Sequence, residues 1–423
     1  MIFDDFGSAH STVLWITFAA AFILGAVANK TNFCTMGAVS DMVNMGDFGR
    51  FRAWLLAIVV AMVGVIILEA SGITSVESTL PPYRGSNFAW LEYVLGGIMF
   101  GVGMTFGSGC GNKTLVRIGG GNFKSLLVFA VIAILAYYML NPFPGTDKTI
   151  YSEVFYGWTS KASVSMSTNQ DIGSVLAGMT GGSAATIRMV VGLIIAALLL
   201  FYILKSSEFR SSLDNVLGGL VVGLVVFAAW YFTGGLVNVN ADGEVLSWTQ
   251  YAAAESWDML EDDAGARPRD VGVQSFTFIN PIGQTLRFAV EDFNMSYITF
   301  GVIAVLGVVL GSFAWAVVSK GFRVEWFLDS KDMLNHVVGA TLMGLGGVLA
   351  MGCTIGQAIS GTSTLAIGSF LAFGGIVLGS AMTMKIQYYK LVYEEEATFI
   401  KAFLSAMADF KLLPNSLRKL ENV

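Results

Sequence analysis

One interruption of an apolar run occurs twice in this chain. Residues Gly96–Thr114 read GGIMFGVGMTFGSGCGNKT, and Gly339–Gly356 read GATLMGLGGVLAMGCTIG. A shift of 243 residues superposes Gly96 on Gly339, Gly101 on Gly344, Gly103 on Gly346, Gly109 on Gly352 and Cys110 on Cys353. Each stretch starts as an apolar helix and runs into a glycine cluster where the helix must break. The third cysteine, Cys34, follows the first apolar helix in NKTNFCTMGAVSD. So few cysteines, each at the mouth of a broken helix, point to a conduction or binding site rather than to packing.

The surroundings of these breaks are lipid. The chain is 55% hydrophobic and 13% charged, against about 25% charged for soluble domains, and its mean hydropathy is +0.67. A spanning helix needs about 20 mostly apolar residues. Nine segments approach that: 12–28, 51–72, 89–106, 123–140, 186–204, 213–234, 296–318, 334–350 and 366–388. Three further pieces, 33–45, 107–119 and 352–363, are too short and too polar or glycine-rich to span. They read as re-entrant half-helices, because irregular backbone at membrane depth survives only where protein or a cavity satisfies it. The N-terminus has no basic region and no small-residue cleavage site, so no removable signal peptide is expected. The expected fold is an all-α polytopic membrane protein with about nine transmembrane helices and re-entrant half-helices in an inverted repeat. It forms a single transmembrane domain, 1–423.

Nine spans place the termini on opposite faces. With the N-terminus outside, only Arg84, Lys148, Lys161, Arg188, Arg267, Arg269 and Arg287 of the 24 basic residues fall outside. The positive-inside bias therefore favours N-out, C-in, as in a bacterial-type inner membrane. Five spans then separate Cys110 from Cys353. An odd number inverts the second copy, an arrangement typical of secondary transporters.

Long outer loops are expected at 141–185 and 235–294, and a cytoplasmic tail at 391–423. The second loop holds ten carboxylates against three arginines and reads as a solvated cap, with a short helix near Glu244–Leu260 and a β-hairpin near Gln274–Phe288. In the tail, Phe399, Phe403, Met407 and Phe410 fall on one helical face. That face suits a membrane interface or, alternatively, docking of a cytoplasmic sulfur-carrier protein.

A lone cysteine in lipid is ordinarily a small apolar filler. Here Cys110 lies between Gly109 and Gly111 and precedes Asn112 and Lys113, while Cys353 follows Gly352 and precedes Thr354 and Gln357. Glycines let backbone amides approach a ligand, and a half-helix starting there offers its positive end to an anion. Metal binding fits poorly: there is no CxxC pair, and the only histidines, His10 and His336, lie far from any cysteine in sequence. Nucleophilic catalysis lacks a base beside the thiol. A neutral thiol is a weak donor with a polarizable sulfur, suited to a soft sulfur anion. Several such weak sites in series permit both entry and release. Lys113 and Arg117 read as inner-face charges or as an anion lure. Asp41 can pair with Lys30, Arg50 or Arg52.

The segments FCTMGAVSD (Phe33–Asp41), FGVGMTFGSGCGNKTLVRIGGGN (Phe100–Asn122) and LMGLGGVLAMGCTIGQAISG (Leu342–Gly361) resemble the YeeE/YedE family of sulfur-compound transporters, whose characterised bacterial members take up thiosulfate. The resemblance implies an hourglass-shaped helical protein. In it, the thiols of Cys34, Cys110 and Cys353 relay thiosulfate by S–H···S contacts.

The expected function is therefore import of a small sulfur-containing anion, thiosulfate first, past Cys34, Cys110 and Cys353. Gly109, Gly111, Asn112, Lys113, Gly352, Thr354 and Gln357 would line the path. No cofactor is expected, since there is no GxxxxGK[ST] motif and no metal-ligand spacing. The alternatives are a membrane sulfurtransferase working through a cysteine persulfide, and a transporter of another sulfur or selenium compound. The net charge of −6 gives no reason to expect nucleic-acid binding. A topology reporter at residue 260 should read as outside; a cytoplasmic reading would sink the orientation.

Overall fold

The computed structural model of the protein describes residues 1–241, 243–254 and 268–421. Helix α1 is Phe6–Lys30, longer at its start than the apolar run suggests. Asp5 sets that start: its carboxylate accepts from the Ser8 amide at 2.7 Å, a side-chain N-cap. The short α2, Thr35–Ser40, continues as a π-helical turn over Asp41–Met45. There follow α3 (Gly49–Ala70), α4 (Trp90–Phe106), α5 (Gly111–Gly119) and α6 (Phe123–Leu140). Next come α7 (Ile172–Thr180), α8 (Ala184–Leu204), α9 (Leu213–Tyr231) and α10 (Trp248–Ala253). The last third holds α11 (Ile279–Val290), α12 (Phe300–Val318) and α13 (Ser330–Leu349). The π-helical α14 (Thr354–Gly361), then α15 (Ile367–Tyr393) and α16 (Phe399–Asp409), close the chain.

Among the described residues, nine apolar helical stretches are long enough to cross a membrane, and three are compound: Phe6–Met45, Trp90–Gly119 and Ser330–Gly361. Each compound stretch is a long helix, a cysteine-bearing break and a short helix. The half-helices expected at 33–45, 107–119 and 352–363 are the second parts of these stretches.

The loops segregate to two ends. At the first end, Ile2–Phe3 pairs in parallel with Asn238–Ala241, Leu80 bridges to Gln274, and Asn87–Phe88 pairs with Val164–Ser165. At the second end, the Phe123 amide donates to the Glu325 carbonyl at 3.0 Å, and Lys124 Nζ meets Asp332 Oδ2 at 2.7 Å.

Lipid-embedded helices gain little from apolar burial against each other, so close backbone approach carries the packing. In the repeat that approach is reciprocal. A Cβ on Gly96 would stand 2.6 Å from the Gly346 carbonyl oxygen, and one on Gly346 would stand 2.7 Å from that of Gly96. The same holds at 2.6 Å, in both directions, for Gly103 and Gly339. Helices α4 and α13 thus cross antiparallel with no room for a side chain. Helices α1 and α12 meet in the same way, through Gly25 on one side and Gly307 and Gly311 on the other.

Two loop expectations need correction. No hairpin forms at Gln274–Phe288. The chain reaches Phe278 without a named strand and then turns into α11. Pro281 sits in the first turn of α11, where its missing N–H costs nothing, and the polar–apolar alternation before it imitates a strand. The hairpin of this loop is instead Asn238–Ala241 against Glu244–Ser247, turning through Gly243 at φ +91°. The helix expected from Glu244 begins at Trp248, after a capping box of Ser247 and Gln250. Residues 255–260 of that expectation lie outside the described residues. The tail helix forms as expected, but its phenylalanines divide. Phe410 is half-buried against the cluster of Val39, Ala381 and Met384, whereas Phe399 and Phe403 stay exposed.

Because both partners of the α4–α13 contact are backbone, no rotamer change can relieve an added side chain. Gly96→Leu should cost about 3 kcal/mol or more. The measurement is thermal unfolding in detergent. Gly374→Leu, whose Cβ meets nothing within 4 Å, should melt like the wild type. Equal melting of the two variants would refute the packing argument.

Candidate functional site

The three cysteines sit on one backbone motif, built three times. Two residues before each, a non-glycine residue is left-handed: Asn32 at φ +54°, Ser108 at +57° and Met351 at +56°. One residue before each, the amide reaches back five residues: Phe33 to Ala28 at 3.2 Å, Gly109 to Met104 at 2.9 Å, Gly352 to Gly347 at 2.8 Å. This is the 6→1 bond of a Schellman ending, which satisfies a terminal carbonyl of the long helix. The cysteine then extends and becomes the N-cap of the short helix. Its carbonyl accepts the first helical bond, from Ala38, Thr114 and Gln357 respectively. None of the three thiols makes a side-chain cap bond. The first-turn amides of each short helix thus begin beside a thiol instead of beneath a serine or aspartate oxygen.

The breaks converge. Cys110 lies within electrostatic reach of both Cys34 and Cys353. A Cβ on Gly111 would stand 3.9 Å from Cys353 Cβ, so the starts of α5 and α14 meet there. The amides of Ile355, Gly356 and Phe278 lie against the Cys353 sulfur, and that of Lys113 lies against Cys110. All three cysteines are free and buried. The Thr354 hydroxyl lies beside the Cys110 thiol. Among the described residues, the side-chain oxygens of Thr354, Asn112 and Gln357 are buried without a hydrogen-bond partner. The Gln357 amide nitrogen ties α14 back to the Ala350 carbonyl. The expected site residues thus fall in one place, with Cys34 lying toward the second end.

The sequence reading missed a fourth half-helix. The start of α11 is packed onto the Cys353 break: Thr277 Oγ1 donates to Cys353 Sγ at 4.0 Å. Gly352 and Gly356 leave the space that Thr277 occupies. The pair Asn280–Pro281 was the available signal, a proline placed to open a helix. Above this junction is a cavity of about 250 Å³, lined by Pro82, Gln274, Thr277, Asn280, Met351 and Gly352 among others. It belongs to the first end.

Charge is sparse near the thiols. Lys113 is buried, and its Nζ donates to Asn32 Oδ1 at 2.6 Å. Among the described residues no carboxylate pairs with it. Asp41 is held by Arg50, with one bond at 2.6 Å. Lys30 instead lies over the Trp315 ring, and Arg52 over Tyr202. His336 Nδ1 lies 2.8 Å from the Asp332 carbonyl oxygen, and His10 stacks between Phe6 and Trp248. Neither imidazole is placed to take a proton from a thiol. The arrangement can hold a small anion among weak neutral donors and pass it along.

Apolar spans and broken helices meeting at a buried polar centre define a multi-pass membrane protein of the transporter class. A family model described as Sulphur transport matches residues 30–382, and the chain belongs to that family. Among relatives, the thiosulfate transporter TsuA of Escherichia coli (strain K12) is 26% identical over 362 residues, covering 84% of this chain and 90% of its own. The thiosulfate transporter TsuA of Spirochaeta thermophila is 22% identical over 381 residues, covering 87% and 97%.

The contact between α5 and α14 can be tested chemically. Disulfides need Cβ atoms about 3.5–4.5 Å apart, and Gly111 and Cys353 meet that span. Gly111→Cys should cross-link to Cys353 under mild oxidation, read as a linked peptide pair by mass spectrometry and reversed by reductant. Absence of that pair would show that the two half-helices do not meet.

Proposed function

We propose that this chain is a permease that carries thiosulfate inward across the plasma membrane, with the N-terminus outside and the C-terminus cytoplasmic. The anion enters through the cavity at the first end, then passes Cys353, Cys110 and Cys34 in that order. The observation that carries this reading is the convergence of three cysteine N-caps, with backbone amides against the sulfurs of Cys110 and Cys353. Support for the substrate comes from the relatives, both named thiosulfate transporters.

Each residue has a part in the relay. Thiols offer weak S–H donors and a soft sulfur surface to the terminal sulfur of the ligand. Asn112, Thr354 and Gln357 supply polar contacts between them. Gly109, Gly111 and Gly352 keep the backbone close to the path. Lys113, one turn beyond Cys110, draws the anion toward Cys34. The reciprocal glycine contacts of α4 and α13 support an inverted repeat, with one cysteine break approaching from each face. Among the described residues no group is placed as a base, which favours passage over sulfur transfer. Exposed Phe399 and Ile400 on α16 suit a membrane interface at the exit, or docking of a cytoplasmic sulfur carrier.

Uptake of labelled thiosulfate into liposomes tests the reading. Wild type should accumulate unchanged thiosulfate; release of sulfite instead would identify a sulfurtransferase. A hydrogen bond to a charged ligand is worth about 1.5–3 kcal/mol, so Cys110→Ala and Cys353→Ala should each lower uptake by about tenfold or more. Serine at either position should rescue poorly, because a hydrated hydroxyl replaces a soft sulfur. Cys34 should tolerate change better. Wild-type uptake by both alanine variants would leave the cysteines as packing residues.

A further inference from the structure

We propose that the Tyr83 hydroxyl is a substrate-contacting donor at the Cys353 station, binding an oxygen of the sulfur oxyanion while the thiol meets its sulfur. This inference rests on the thiosulfate reading above. Tyr83 is 2% exposed, yet among the described residues its hydroxyl has no hydrogen-bond partner. An unpaired buried hydroxyl costs about 1–3 kcal/mol, and such a group calls for an explanation. Its position supplies one. The hydroxyl lies within electrostatic reach of the Cys353 thiol. Its neighbour Pro82 lines the 250 Å³ cavity, as do Thr277 and Gly352 beside Cys353. Tyr83 and Cys353 each follow in sequence a residue that lines this cavity, Pro82 and Gly352.

The ring is fixed from several sides. Trp230 meets it edge-on at 6.2 Å, and the Trp230 indole donates to Ser363 Oγ at 3.2 Å, just beyond α14. The next residue, Arg84, donates through Nε to the Thr364 carbonyl at 2.8 Å. The Tyr83 amide itself is satisfied within its loop by Pro81 and Thr79. The backbone and the ring are thus accounted for, and the hydroxyl alone is left over.

A neutral donor suits this station. A cation there would hold the anion too tightly for onward movement, whereas a hydroxyl and a thiol give a site weak enough to leave. The pair also recognises both ends of the ligand. Thiosulfate carries a soft sulfur and hard oxygens, and hydrosulfide has no oxygen for Tyr83 to meet.

Tyr83→Phe is the test, because it removes one oxygen and no bond within the protein. In liposomes, the KM for thiosulfate should rise about ten- to a hundredfold, with the maximal rate changed far less. Without ligand, the melting temperature in detergent should equal or exceed that of wild type. Thiosulfate should raise it less than in wild type. An unchanged KM alongside active wild type would overturn the role of Tyr83 and leave the transport reading standing. A lower melting temperature without ligand would show a structural hydroxyl and equally overturn it. Absence of thiosulfate uptake by wild type would sink both.

Discussion

Broken helices inside a bilayer carry backbone groups that no water can satisfy, and the whole centre of this protein follows from that constraint. Each unpaired polar group in hydrocarbon costs several kcal/mol. The C-terminal ends of the three long helices meet the demand internally, by the bonds from Phe33, Gly109 and Gly352. The left-handed conformation at Asn32, Ser108 and Met351 is the cost of that ending. The N-terminal ends of the short helices are treated differently. Each starts at a cysteine, which sets a soft sulfur where a serine or aspartate would set a hard cap oxygen. One polarity of helix end is therefore closed by backbone bonds, and the other begins beside a thiol.

Bringing those ends together requires that the surrounding helices approach at backbone distance. The glycines of α4 and α13 serve that need and place Gly111 against Cys353. The first end of the bundle is held by a buried ion cluster. Arg84 pairs with Glu69 at 2.5 Å, and Arg188 reaches Glu69 and Asp171 at 3.0 Å each. Asp171 bridges to Ala366, and Arg84 grips Thr364, so the cluster fixes the segment that follows α14. Its arginines are answered by carboxylates. They hold the Cys353 half-helix in place and leave the attraction of anions to other groups.

Much of this was legible in the sequence, for a physical reason. Apolar length reports spans directly, and glycine with cysteine after an apolar run reports a break. The shared register of Cys110 and Cys353 told that two breaks are related. The relation of Cys34 to them was harder to read, because Phe33 stands where the others have Gly109 and Gly352. The equivalence lies in backbone dihedrals at Asn32, Ser108 and Met351, three side chains with nothing in common. Helix α11 was hidden for another reason: QSFTF alternates like a strand, and only Pro281 betrays the helix start. Tyr83 sits in PPYRG, which reads as a surface turn. Its burial depends on Trp230 and on the loop after α14, contacts 147 and 280 residues distant in the case of Trp230 and of Arg84 with Thr364.

The distribution of charge completes the argument. A path made only of thiols, hydroxyls and amides would give an anion little reason to leave water. A path lined with cations would not release it. Here the Lys113 ammonium is buried close to the thiols, and its partner is the neutral amide of Asn32. A carboxylate in that place would cancel the charge and leave nothing for the anion. The amide solvates the ammonium without neutralising it, which offsets part of the cost of about 2.5–3.5 kcal/mol for a cation at membrane depth. Asn32 is also the left-handed residue that ends α1, so the turn that positions Cys34 also holds the cation. Farther toward the second end, Arg50 is already engaged by Asp41, and its attraction is correspondingly reduced. Along the path proposed above, weak neutral donors come first, then the Lys113 ammonium solvated by Asn32, then Arg50 paired with Asp41.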